Sequence, residues 1–196
     1  MTKNIATASK TTCQGPVQAA LEAHQPITTV QALALFDSLA PVDLYFMRGR
    51  WKGAEVATGH PRAGLLAATG WYGKLFLDVE QVHPLLFYTR NGHGLYAVDP
   101  KFLPVDRTLL LFKHLAPWAR WLLPLLKTRR TKARLRMMEH RGVVSATMVY
   151  DEKPIHDIFR RLDENRVFAV MDLKGETHPY FFTLQRDDTS VYTTSW

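Results

Sequence analysis

Residues 134–186 read RLRMMEHRGVVSATMVYDEKPIHDIFRRLDENRVFAVMDLKGETHPYFFTLQR. Five short runs rich in β-branched and aromatic residues follow one another here: Arg134–Arg141, Val143–Asp151, Ile155–Leu162, Arg166–Lys174 and Pro179–Arg186. Turn-forming separators divide them, namely Arg141-Gly142, Asp151 to Pro154, Asp163 to Asn165 and Lys174-Gly175-Glu176. Short strands at regular spacing with polar, Gly-containing breaks are the pattern of an antiparallel meander, hence of a barrel or a sandwich.

Working back along the chain, Leu44–Thr58 has the same texture. Met47, Gly49, Trp51 and Gly53 fall on one side of a period-two pattern, and Arg48, Arg50 and Lys52 on the other. Gly59-His60-Pro61 is a turn and Arg62–Thr69 a short helix. Gly70–Asp78 and Leu85–Thr89 read as strands, with Gly92-His93-Gly94 as a tight connection. Neither half has enough strands to close alone, so the two are expected to form one barrel. Pro16–Leu39 carries a helical period through Val17, Ala20, Leu21 and Ala23. It resumes after a Thr28 or Thr29 cap with Val30, Leu33, Ala34, Leu35 and Phe36, and Pro41 ends it.

Leu109–Leu126 is strongly apolar, but Lys113, His114, Pro117, Arg120 and Pro124 interrupt it. A membrane span needs about 20 apolar residues in a row. The segment therefore reads as a core or barrel-capping helix. The alternative is a lid or membrane-surface element, because the basic run Lys127, Arg129, Arg130, Lys132, Arg134, Arg136 follows at once.

The 196 residues are 46% hydrophobic and 22% charged, with a formal net charge of +7. That is a globular balance and not a disordered one. The one cysteine, Cys13, excludes an intramolecular disulfide. Met1–Gln18 is polar and Ser/Thr-rich with no apolar core of a signal peptide, so a cytoplasmic setting is expected. The basic surplus comes with no nucleic-acid-binding motif, so nucleic acid is not an expected partner.

Two stretches carry a family resemblance. Phe36–Phe87 contains FDSLAPVDLYFMRGRWKGAEVATGHP, GWYGKLF and VHPLLF; Arg136–Arg186 contains RMMEHRG, SATMVYDEKPIHDIFRRLDENRVFAVMDLKG and YFFTLQR. Together they resemble the GXWXG protein family, with Gly49-x-Trp51-x-Gly53 in the N-terminal module and a C-terminal domain of unknown function, DUF4334. More distantly the chain resembles the calycins, lipocalin-like barrels in which a Gly-x-Trp opens the first strand and a late-strand Arg lies over the Trp ring. Gly49-x-Trp51 and Arg186 match those roles, and a cation over an indole contributes ~0.5–2 kcal/mol. The expected fold is mainly β with some α: an antiparallel calycin-like barrel with N-terminal helices and an inserted apolar helical segment. Residues 1–15 are expected as a disordered tail and 16–196 as a single barrel domain. Within it, 16–40 is a helical lead-in, 41–105 the GXWXG half, 106–133 the helical insertion and 134–190 the meander.

A small barrel encloses one pocket lined by alternate side chains. Trp51, Trp71, Phe87, Phe159, Phe168 and Phe182 are the expected walls, with His83, Tyr150, His156 and Arg186 as further ligand-binding candidates. By parity, Asp157 goes with Ile155 and Phe159, Asp172 with Phe168 and Val170, and Arg186 with Tyr180, Phe182 and Leu184. Charges brought inside together need partners, so such a network is either a barrel-closing ion pair or a site with a carboxylate of raised pKa. The expected function is an intracellular binding or carrier protein for a small hydrophobic molecule. The first alternative is a barrel isomerase, cyclase or lyase using His60, Tyr72, Asp157 and Asp172 as acids and bases. The second is a membrane-surface or interaction module built on 109–136. Tyr72 and Lys74 of GWYGK would place a phenol and an amine near one mouth. Histidines beside prolines, such as His60 and His83, also serve as turn-stabilising residues. No H-x-H or H-x-x-x-H spacing occurs, so no metal and no cofactor is expected, and the chain is expected as a monomer or homodimer.

Overall fold

The Arg141-Gly142 pair shows how locally the meander is written. Both residues adopt positive φ, 54° and 76°, as a two-residue hairpin loop requires. They join β6 (Ala133–His140) to β7 (Val143–Tyr150) in unbroken antiparallel register from Ala133↔Tyr150 to His140↔Val143. The structure, a computed structural model, describes residues 15–104, 116–188 and 193–194. Residues 1–14 of the expected tail, Cys13 among them, and the first part of the apolar segment, 109–115, lie outside the described residues.

The meander continues through β8 (Ile155–Arg161), β9 (Arg166–Leu173) and β10 (Tyr180–Arg186), so all five C-terminal runs are strands. The N-terminal half supplies β1 (Ala40–Pro41), β2 (Gly49–Glu55), β3 (Trp71–Phe76), β4 (Val82–Tyr88) and β5 (Gly94–Ala97). A short β11 (Thr193–Thr194) pairs in parallel with β5. Successive antiparallel pairings run β4-β3-β2-β10-β9-β8-β7-β6, and Val82↔Ala133 joins β4 back to β6. Eight strands thereby form a ring drawn from both halves of the chain.

Two elements differ from the sequence pattern. The strand expected from Leu44 begins only at Gly49, because residues 44–47 turn and the Asp43 carboxylate accepts the Phe46 N–H at 2.7 Å. Strand β5 has all four residues buried, which leaves no alternation to read.

One apolar cluster takes side chains from all eight ring strands, among them Trp51, Trp71, Phe87, Leu135, Met148, Phe159, Ala169 and Phe182, and so fills the ring. A second cluster lies outside, where α2 (Thr29–Ser38) covers Ile158, Phe168, Val170 and Phe181. Thr28 caps α2 with a capping box: its hydroxyl accepts the Gln31 N–H at 3.2 Å, and the Gln31 side chain accepts the Thr28 N–H at 2.8 Å. Ala32, Leu35 and Phe36 are its buried face, the i, i+3, i+4 stripe. A helix over residues 15–22, α1, precedes it, and its Val17, Ala20 and Leu21 border the same cluster. Beneath α2 the buried Arg160 guanidinium lies 4.9 Å from the Phe36 ring and donates to the carbonyls of His140 and Val143, tying the helix to the β6–β7 turn. The short α3 (Leu65–Thr69) packs on α4 (Ala116–Leu122), which runs into a 3-10 turn at Leu123–Leu126. Among the described residues no helix is long and apolar enough to cross a membrane.

The two glycines that matter most lie close together on β2 and β3, with Gly73 opposite Lys52, the neighbour of Gly53. A Cβ on Gly53 would sit 2.1 Å from the Trp71 ring, and one on Gly73 would sit 2.0 Å from the Trp51 carbonyl oxygen. Gly53→Ala and Gly73→Ala are therefore expected to cost about 2–3 kcal/mol or more each. Gly142→Ala, strained in φ but with open space around it, should cost about 1 kcal/mol. Urea midpoints at unchanged m-value test the ranking.

Candidate functional site

Gly73, at φ 152°, breaks the alternation of β3. The β3–β4 register shifts on both sides of it, so it forms a bulge. In a regular strand Trp71 and Lys74, three residues apart, would face opposite ways. With the bulge both point into the ring, as does Phe76, while Tyr72 turns outward onto a small cluster with Leu86, Leu95 and Ala97. Lys74 thus enters the aromatic interior. Its Nζ lies 5.1 Å from the Phe182 ring centroid, 5.7 Å from Tyr150 and 6.0 Å from Trp71.

Asp157 of β8 meets it there. Lys74 Nζ donates to Asp157 Oδ2 at 2.7 Å and to the Pro84 carbonyl at 3.2 Å. Their side chains are 2% and 1% exposed. Asp157 Oδ1 is equally buried and accepts no hydrogen bond among the described residues. Burial holds the Asp157 carboxyl above the usual carboxylate range, with Lys74 pulling the other way. Burial and the nearby carboxylate push the Tyr150 phenol well above its ordinary pKa. The centre of the ring is thus a charge pair in an aromatic cage, with one acceptor unused.

The two ends of the ring differ. At one end Trp51 is completely buried: its indole N–H donates to the Met47 carbonyl at 2.8 Å, and the Arg186 guanidinium lies 4.3 Å from its ring. Arg186 also donates to the carbonyls of Phe46 (2.6 Å) and Arg48 (2.7 Å), so one arginine seals the strand start. At the other end Glu55 accepts the Tyr180 hydroxyl proton and the backbone N–H groups of Gly64 (2.9 Å) and Leu66 (3.1 Å), which caps α3. The His60 ring stands edge-on to Tyr180 at 5.2 Å. Its Nδ1 accepts the Arg62 N–H at 3.0 Å, which leaves Nε2–H to donate to the His178 carbonyl at 3.1 Å. Burial lowers its pKa, in keeping with this neutral, clamped imidazole.

Of the residues expected at a pocket, the structure brings Trp51, Trp71, Phe87, Tyr150, Asp157, Phe159 and Phe182 into the ring's inner cluster or onto its charge pair. Arg186 lies at one end and His60 at the other. His83 is buried in β4, where desolvation lowers its pKa to about 4. Four residues lie elsewhere. Phe168 faces out, stacked on Phe181 at 5.5 Å beneath α2, so the inward parity expected for it and for Asp172 is reversed. Asp172 is exposed and paired in register with half-buried His156 on the outer side of β8–β9, and Tyr72 donates its hydroxyl proton to Asp187 Oδ2 at 2.5 Å. Strand β9 buries both faces, so its period alone does not say which one is inner. Lys74 and Tyr72, expected near one mouth, are separated, Lys74 inside the ring and Tyr72 outside it; Glu55 and Tyr180 are the polar participants not expected there. The signal for Lys74 was the glycine interrupting its strand. Among the described residues no group of three or more His, Cys, Asp or Glu is placed to hold a metal ion.

The model of the family described as "GXWXG protein" matches residues 34–92, and that of a domain of unknown function, DUF4334, matches residues 131–186. No curated protein matches the chain. Among solved structures, a protein from Thermomonospora curvata is 31% identical, with a TM-score of 0.68 over 89% of this chain and 98% of its own.

Two measurements follow from this geometry. Lys74→Met leaves a buried carboxylate alone and Asp157→Leu a buried ammonium alone, so each should cost about 3–5 kcal/mol, while the double variant should be near neutral or more stable; a double-mutant cycle by denaturant unfolding reads the difference. Unfolded, the His83 imidazole takes up its proton near pH 6.5; folded, only near pH 4. Between these values the unfolded state holds more protons, so stability falls as pH drops, by up to about 3 kcal/mol from this group. His83→Leu should flatten that part of the pH profile.

Proposed function

We propose that this chain, which belongs to the GXWXG family and carries a DUF4334 module over residues 131–186, folds as a calycin-like barrel that binds a small, largely apolar molecule in its interior. The bound molecule carries one hydrogen-bond donor. The observation that carries this reading is the buried Oδ1 of Asp157, which accepts no hydrogen bond among the described residues. A buried acceptor without a donor costs about 1–3 kcal/mol, more when charged, and replacing such a pair by apolar residues is often neutral or stabilising. A core selected for stability alone has no need of Lys74 and Asp157. A ligand O–H or N–H at Oδ1 completes the pair's hydrogen bonding, and Trp71, Tyr150 and Phe182 supply apolar walls. Access is from the end carrying His60, Glu55 and Tyr180, because Trp51 and Arg186 plug the other. The aromatic side chains fill the interior, so binding turns one or more of them aside. The single cysteine, Cys13, suits a carrier of the reducing cytoplasm.

A second reading uses the same site as an enzyme. Asp157, held above the usual carboxylate range by burial and hydrogen-bonded to Lys74 Nζ at 2.7 Å, then exchanges a proton with an apolar substrate as general acid or base. His60, held neutral in its clamp, then stabilises the mouth and takes no part in proton transfer.

Native mass spectrometry of protein taken from its own host, followed by organic extraction, tests both. A stoichiometric small molecule is expected. Its affinity should fall more than roughly tenfold in Lys74→Met/Asp157→Leu, a variant expected to stay folded. A ligand retained in full by that variant, or no uptake of any fatty acid, terpenoid or aromatic probe by the parent protein, overturns the interior site. Conversion of the extracted molecule by the parent protein but not by Asp157→Asn establishes the enzyme reading.

A further inference from the structure

The pattern that amphipathic-helix rules would send into a core is here turned to solvent. Trp118, Trp121, Leu122 and Leu125 follow the i, i+3, i+4, i+7 spacing across α4 and the 3-10 turn, and they are 69%, 58%, 64% and 81% exposed. Leu123, on the opposite side, is 5% exposed and belongs to the ring's inner cluster, so the segment is anchored through one side and bare on the other. Four large apolar side chains side by side in water mark an interaction surface.

The charge around this stripe selects the partner. From Ala116 to Met138 the chain has seven Arg and Lys residues and no Asp or Glu. Lys132, Arg134 and Arg136 are taken up by Asp99, Glu152, Asp151 and Glu80. Arg90, Arg120, Lys127 and Arg130 meet no carboxylate among the described residues. Arg90 stacks 4.3 Å from the Trp121 ring, so cation and apolar stripe are joined. Arg90 and Lys127 also line one cleft of about 340 Å³ with Thr89, Asn91, Tyr96 and Pro124. Two-fold pairing with a second copy through this face would set these cations against themselves, which disfavours a homodimer here.

We propose that this face docks on an anionic phospholipid surface. Trp118, Trp121, Leu122 and Leu125 enter the boundary between headgroups and acyl chains. Arg90 and Lys127 receive a headgroup phosphate in their cleft, and Arg120 and Arg130 add attraction to the charged surface. Tryptophan at the headgroup level with cations beside it is the arrangement expected for a protein that lies on a bilayer without crossing it. The inference is independent of the interior binding site.

Flotation of the full-length protein with vesicles of phosphatidylcholine alone, or with phosphatidylglycerol added, tests it. Co-flotation with the anionic vesicles, weakening as salt rises, is expected. Trp118→Ser/Trp121→Ser/Leu122→Ser/Leu125→Ser, which removes only exposed side chains, should lower partitioning roughly a hundredfold. Lys127→Gln/Arg130→Gln should lower it on the order of twentyfold on anionic vesicles. The second variant keeps the test open should the first fail to fold. Absence of parent protein from anionic vesicles at low salt overturns the proposal, as does equal, salt-independent binding to pure phosphatidylcholine. A dimer lost with the serine substitutions while flotation persists also overturns it, in favour of a second copy on this face.

Discussion

The interior depends on the contact between β2 and β3 at Gly53 and Gly73. There the Trp71 indole lies over Gly53, and the Gly73 backbone approaches the Trp51 carbonyl more closely than any side chain permits. The bulge that Gly73 makes possible turns Trp71 and Lys74 to the same side, and Lys74 is what Asp157 pairs with. The motif Gly49-x-Trp51-x-Gly53 has a physical reading in these terms. Gly53 is a seat for an aromatic ring. Trp51 is a plug under Arg186, and Gly49, at φ 109°, leaves room for the Asp188 carboxylate. A side chain at either Gly53 or Gly73 would push β2 and β3 apart and carry the lysine away from its partner.

A polar pair and the apolar packing around it pull against each other at the centre of this ring. Its inner cluster is built from large aromatic and aliphatic side chains, the arrangement that dispersion and the hydrophobic effect favour. Into it the fold places a lysine and a carboxylate whose desolvation penalty their mutual attraction only partly offsets. Sites of binding and catalysis are where proteins tolerate such penalties. The surrounding constraints are structural: the Arg186 seal at one end, and the Glu55–Tyr180 and His60 clamps at the other, hold the strands that present the pair. The outer surface has its own asymmetry. Salt bridges hold Arg134 and Arg136 of β6, whereas Arg90, Arg120, Lys127 and Arg130 beside α4 meet no carboxylate among the described residues and lie exposed near Trp118 and Trp121.

Much of this was legible in residue order. The five C-terminal runs were readable because their turns are short and chemically explicit, Arg141-Gly142 above all, and because local twist makes successive antiparallel runs pair. The Trp51–Arg186 contact was expected from the calycin resemblance, and the two residues stand opposite each other on the paired strands β2 and β10, where an arginine can cover the indole and bond several carbonyls at once. Asp157 was legible from its parity with Ile155 and Phe159. Asp172 and Phe168 were not, because β9 is apolar on both faces and a helix covers the outer one. Lys74 needed the bulge, and the exposed face of α4 needed the rest of the molecule, since an apolar helical stripe has the same sequence whether it meets a core or water.

The sequence by itself determined the antiparallel meander, the need for both halves to complete it, the capped α2 helix and the charge of the segment after α4. These are written in turn chemistry, period-two alternation and capping, all of which act over a few residues. Only the tertiary structure decided that β4 returns to β6, which face of β9 is inner, that Lys74 and Asp157 meet, and that Trp118, Trp121, Leu122 and Leu125 face outward. Each of these depends on groups distant in the chain, whose positions follow from closing the ring rather than from any local preference.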